Sequence, residues 1–113
     1  MADLRAQLRV AVHYRLSLRR AGVEGRGTTE NLSERGAMVS LDIDPPLAAG
    51  EEIALEIELP GYGSLVVPSK VRWASTVLPG MTGVEFTLPV PPVLLAHIAE
   101  LVNSRLDEAE GVA

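Results

Sequence analysis

Val10-Ala11-Val12-His13-Tyr14-Arg15-Leu16-Ser17-Leu18-Arg19 is the stretch whose reading decides the fold. Val10, Val12, Tyr14, Leu16 and Leu18 occupy alternate positions, with Ala11, His13, Arg15, Ser17 and Arg19 between them. Extended backbone turns successive side chains to opposite faces, so this period of two predicts a strand with one face in a core. The pattern then recurs. Gly22, Gly25 and Gly27 mark a polar stretch that reads as a hairpin turn near Ala21-Gly22 and a second strand running toward Glu30. Asn31 to Gly36 reads as a turn. Ala37, Val39, Leu41 and Ile43 alternate in a third strand that Asp44-Pro45-Pro46 stops. Ile53, Leu55, Ile57 and Leu59 make a fourth, and Pro60-Gly61-Tyr62-Gly63 a turn. Leu65, Val67, Val71 and Trp73 are expected on one face of a fifth strand, where Pro68 cannot donate a ladder bond and implies an edge or a bulge. A sixth covers Thr82 to Leu88 with Val84, Phe86 and Leu88 inward.

After Val90-Pro91-Pro92 the period changes. Leu94, Ile98, Leu101, Val102 and Arg105 follow helical spacing, which predicts a helix from Pro91 or Pro92 to Leu106. Proline suits the first helical turn, where its missing N–H would be unpaired anyway. The class is therefore all-β: six short antiparallel strands and one C-terminal helix, as a small barrel or sandwich with a helical plug. Residues 1–9 form an N-terminal arm, residues 10–106 the folded body, and residues 107–113 an acidic tail.

Length and composition bound the rest. A chain of 113 residues, 47% hydrophobic, supports one domain with a single modest core. The formal charge of −5 argues against a generic DNA or RNA binder, whose affinity for phosphate normally needs a basic protein. That total hides an asymmetry. Residues 1–36 hold seven arginines against four acids, a net +3, whereas residues 37–113 hold three bases against eleven acids, a net −8. Nine of the ten basic residues are arginine, the side chain whose planar fork makes paired bonds to phosphates and guanine edges. With no cysteine there is no disulfide scaffold and no thiolate zinc site. The apolar runs fall far short of the ~20 residues that span a bilayer, and no export signal is expected, so a cytoplasmic location is the expectation.

No enzyme is indicated. His13 and His97 are the two histidines, and neither sits in a recognisable nucleophile, metal or phosphate-loop motif. A single-strand nucleic-acid barrel needs exposed aromatic platforms beside a basic groove. Of Tyr14, Tyr62, Trp73 and Phe86, the alternation leaves only Tyr62 displayed.

Two motifs carry more information. Arg5-Ala6-Gln7-Leu8-Arg9 sets two arginines four apart just before the first strand. Asn31-Leu32-Ser33-Glu34-Arg35-Gly36 is an NxSxxG segment between the second and third strands, 22 positions after Arg9. In this order, with strands between them, the sequence resembles the PilZ domain, a bacterial receptor module for cyclic di-GMP characterised by RxxxR, [D/N]xSxxG, further strands and a closing helix. The resemblance covers residues 4–106, and Val71-Arg72-Trp73 and Gly83-Val84-Glu85-Phe86 are similar to the family's usual ending. Asn31 stands where Asp is commoner, and Leu4 rather than another arginine precedes the motif.

The resemblance implies a six-stranded antiparallel β-barrel and a site made of Arg5, Arg9, Asn31, Ser33 and Gly36, with Arg35, Arg15 and Trp73 as further candidates. Cyclic di-GMP presents two phosphates and two guanines. Arginines suit the phosphates and the O6/N7 edge, and their planes stack on purines. Asn31 would bond a guanine edge, Ser33 would donate to a phosphate or hold the turn, and Gly36 would permit positive φ or a close backbone approach. With no cofactor and no attached output domain, the expected role is a receptor that signals to a partner protein. The alternative is a PilZ-like adaptor in motility or pilus assembly that binds no nucleotide. One ligand or two per protomer stays open.

Overall fold

The computed structural model describes residues 8–111, with side chains up to Arg105. Arg5, most of the expected N-terminal arm and the last two residues lie outside the described residues. The strands are β1 (Arg15–Arg20), β2 (Val23–Leu32), β3 (Gly36–Asp42), β4 (Glu52–Leu59), β5 (Gly63–Ala74) and β6 (Met81–Phe86), followed by helix α1 (Pro92–Gly111). All neighbours are antiparallel, and the sheet closes as a barrel in the order β1-β2-β3-β6-β5-β4. Closure leaves no unpaired sheet edge.

Alternation builds the barrel interior. On β4, Ile53, Leu55, Ile57 and Leu59 are buried while Glu52, Ala54, Glu56 and Glu58 face out. Leu16 and Leu18 of β1, Val39 and Leu41 of β3, Val67 and Val71 of β5, and Val84 and Phe86 of β6 fill the same core. Each such side chain contributes roughly 1.5–3 kcal/mol by leaving water. The β1–β2 hairpin turns at Ala21 and Gly22, both at positive φ (49° and 82°), as a two-residue turn matched to strand twist requires.

Several expected boundaries shift. Regular pairing starts at Arg15, not Val10. Residues 11–14 run as irregular extended chain because they are tied to side-chain groups of β2 rather than to its ladder alone. Thr29, fully buried, accepts the Tyr14 N–H on its hydroxyl at 2.9 Å and donates that hydroxyl to the Val12 carbonyl at 2.5 Å. Pro68 marks neither an edge nor a bulge. It pairs with Ala54 inside the closed barrel, and its other side faces Thr87, one residue beyond the end of β6. There its missing N–H costs no bond within the named strands. Leu88, expected inward, is 82% exposed, because β6 ends at Phe86 and the chain leaves the barrel.

Helix α1 continues five residues past Leu106, through the first part of the expected acidic tail. Asp107-Glu108-Ala109-Glu110 contains no residue that stops a helix before Gly111. Leu94, Ile98 and Val102 are buried in the barrel core, so α1 plugs it as the helical spacing implies. Two polar ties bind it to the segment before β1: Arg105 Nη2 donates to the Ala11 carbonyl at 3.2 Å, and the Tyr14 hydroxyl lies 2.8 Å from His97 Nε2. Burial raises the Tyr14 phenol above its ordinary value of 10.0. Tyr14→Phe should therefore cost about 1 kcal/mol at neutral pH through the lost hydrogen bond. A raised folded-state pKa lets the unfolded chain ionise first, so this phenol's contribution is complete below pH 10 and lost as pH rises beyond it. Melting curves of the two proteins should converge above pH 10.

Candidate functional site

Sequence and topology bring the two motifs together on the outer face of β2, β3, β5 and β6. Val10 bridges to Leu32, with N–H to O distances of 2.8 and 2.9 Å in the two directions. This bridge fixes the chain beside the end of β2, and Arg9 Nη1 donates to Asn31 Oδ1 at 2.9 Å. Residues 22 apart in sequence thus share one hydrogen bond.

Asn31 is not in the turn. It belongs to β2, and the turn is confined to Ser33, Glu34 and Arg35. Its outward position comes from a β-bulge. Thr29 pairs with Val39 and Asn31 with Met38, so Glu30 is an extra residue on β2. Thr29 points into the core, and without the bulge Asn31 would follow it there. A second bulge does the same on β5. Val71 pairs with Val84 and Trp73 with Gly83, leaving Arg72 extra. Trp73, expected inward with Val71, is instead 44% exposed on the outer face. Bulges of this kind reverse the facing of the residues beyond them.

The two re-aimed side chains belong to one row across the sheet: Trp73 on β5, Gly83 on β6, Met38 on β3 and Asn31 on β2. A Cβ on Gly83 would overlap the Trp73 indole, so the ring lies directly on the glycine backbone. The adjoining row pairs Glu85 with Gly36. A Cβ on Gly36 would overlap the Val84 carbonyl oxygen, which makes this glycine a close-approach residue for β6. It is not among the positive-φ glycines. A trough lies over these rows, lined by the indole, Met38 and Asn31.

The trough is a half-open cleft of about 400 Å³, within the ~300–1,000 Å³ of small-molecule sites. Among the described residues, Arg9, Arg35 and Arg72 surround it with three guanidinium groups against one carboxylate, Glu85. Arg72 Nε lies 3.3 Å from Glu85 Oε2, with both side chains more than half exposed. The protein is acidic overall, yet this cleft is cationic and has an aromatic wall. Those are the elements that bind phosphate groups and stack a flat heterocycle.

The remaining candidates fall elsewhere. Ser33 is buried and committed to its turn: its Oγ accepts the N–H groups of Gly36 (3.2 Å) and Arg35 (3.4 Å) and donates to the Gly36 carbonyl (3.2 Å). It shapes the loop beneath the cleft rather than lining it. Arg15 pairs with Thr28 on the β1–β2 face and borders a separate depression with Arg26, Glu56 and Glu58. Sequence reasoning missed Met38, Arg72, Gly83 and Glu85. A glycine inside a strand, as at 83, signals a close approach and offered one clue. Arg72 and Glu85 lie in the two segments similar to the family's usual ending, but nothing in the sequence pattern assigns either side chain to the site.

Among the described residues, no helix is long and apolar enough to cross a membrane, and no group of three His, Cys, Asp or Glu side chains converges on a metal position. No curated protein matches the chain significantly. The family model for the PilZ domain matches residues 3–104, nearly the whole chain. The chain belongs to the PilZ domain family, in general a family of cyclic di-GMP receptor and adaptor domains.

Proposed function

We propose that this protein is a cyclic di-GMP receptor that binds the nucleotide in the cleft between Trp73 and Asn31 and signals to a partner protein in the bacterial cytoplasm. The observation that carries this reading is the Arg9–Asn31 hydrogen bond, which unites the halves of the bipartite motif at the mouth of a cationic, aromatic-walled cleft. In this reading Arg9, joined by Arg5 from the arm, engages phosphates or the O6/N7 edge of guanine. Asn31 keeps an amide for the ligand in place of the charge an aspartate would bring. Trp73 supplies a stacking surface, Arg35 adds positive charge, Gly36 keeps the floor low, and Ser33 holds the turn.

Calorimetric titration with cyclic di-GMP tests the reading. Saturable binding is expected, and ligand at a hundred times Kd should add about 2.7 kcal/mol to the stability seen in a melting curve. Equal stabilisation by GTP would speak against a cyclic-dinucleotide site. A titration without heat or melting shift at high micromolar ligand would leave the nucleotide-free adaptor as the better description.

A further inference from the structure

We infer that Glu85 is the specificity-determining residue of the cleft, reading the N1–H and N2–H₂ edge of a guanine base. This assignment rests on the receptor reading above. A site for a dianionic ligand retains a carboxylate here. Among the described residues Glu85 is the one acidic side chain lining the cleft, and it is half exposed there, in the row next to Trp73, Gly83 and Met38. A carboxylate weakens the attraction of the three arginines for phosphate. Its ion pair with Arg72 is exposed on both sides, the kind of pair that adds little to stability. Neither phosphate binding nor folding therefore accounts for an acid at this position.

Base recognition does account for it. Guanine offers two adjacent donors on one edge, and a carboxylate offers two acceptors in matching geometry. Arg72 Nε lies 3.3 Å from Glu85 Oε2, and Lys70 is the register partner of Glu85 on β5, so cations flank a carboxylate that lines the cleft. The competing acceptor in the cleft, Asn31 Oδ1, is already engaged by Arg9. A purine stacked on the exposed side of the indole presents an edge to the next row, where Glu85 sits. Adenine turns an acceptor nitrogen toward the same carboxylate and is repelled. A site built to pair donors rejects analogues that lack them more strongly than it rejects a change of size.

The test compares cyclic di-GMP, cyclic di-IMP and cyclic di-AMP by calorimetry on wild type, Glu85→Gln and Arg72→Ala. Wild type should prefer them in that order, since hypoxanthine keeps N1–H but lacks the amine. Glu85→Gln should lower cyclic di-GMP affinity about ten- to a hundredfold and shrink its advantage over cyclic di-AMP. Arg72→Ala should weaken all three ligands alike and preserve the ranking. Equal weakening of all ligands by Glu85→Gln, or cyclic di-GMP binding as tight as wild type, overturns the assignment while the receptor reading stands. A wild type that takes none of the three overturns both.

Discussion

Gly36→Val is expected to destabilise the protein by about 3 kcal/mol, the upper part of the range for overpacking a filled site. Even one added carbon at residue 36 overlaps the Val84 carbonyl oxygen and approaches Glu85 Cα at 3.2 Å. Both obstacles are backbone of β6, so no side-chain rotation relieves them. Relief requires β3 and β6 to separate where Gly36 pairs with Glu85. It also disturbs the turn, whose bonds from Ser33 N–H to the Gly36 carbonyl (2.9 Å) and from Phe86 N–H to the Arg35 carbonyl (2.8 Å) are anchored at the same point. For a domain of this size the midpoint of thermal unfolding should fall by roughly 12–24 °C. Urea denaturation should show a lower midpoint at unchanged slope. A variant that melts within two or three degrees of wild type would show that the seam yields easily, and that Gly36 serves the ligand alone.

Arg9→Ala should leave folding nearly untouched and lower cyclic di-GMP affinity about ten- to a hundredfold, the range for losing one charge-assisted contact. Arg9 is exposed, and its contact with Asn31 joins two groups at the surface, so stability should change by no more than about 0.5 kcal/mol. Arg9→Lys separates charge from geometry. Lysine keeps the point charge but loses the planar fork, so it should recover only part of the affinity. Full affinity in Arg9→Ala, measured beside a binding wild type, would place the phosphates on Arg35 and Arg72 instead.

Much of the barrel was legible because burial imposes a period of two on half-buried strands. The inward residues of β1, β3 and β4 fall where alternation puts them, and Leu94, Ile98 and Val102 fall where helical spacing puts them. Reading went wrong where the count was interrupted. Alternation assigns Trp73 to the core because it lies two residues after Val71, and the extra residue Arg72 reverses its side. Composition assigns Asn31 to a turn, and the extra residue Glu30 instead presents it from a strand. A bulge is a relation between two strands, set by which residue pairs with which. One strand's composition does not show it.

The sequence by itself determined the alternation of each strand, the plugging face of the helix and the bipartite arginine–asparagine motif, because local period and residue chemistry are properties of neighbours along the chain. The tertiary structure alone decided that two bulges turn Asn31 and Trp73 onto the same outer face. It also decided that Gly83 takes the indole and Gly36 takes the β6 backbone at close approach beneath one trough, and that Arg72 and Glu85 join Arg9 and Arg35 around it. The cleft draws on four strands and the segment before β1. Its charge and shape arise from long-range register, and the formal charge of −5 contains no trace of either.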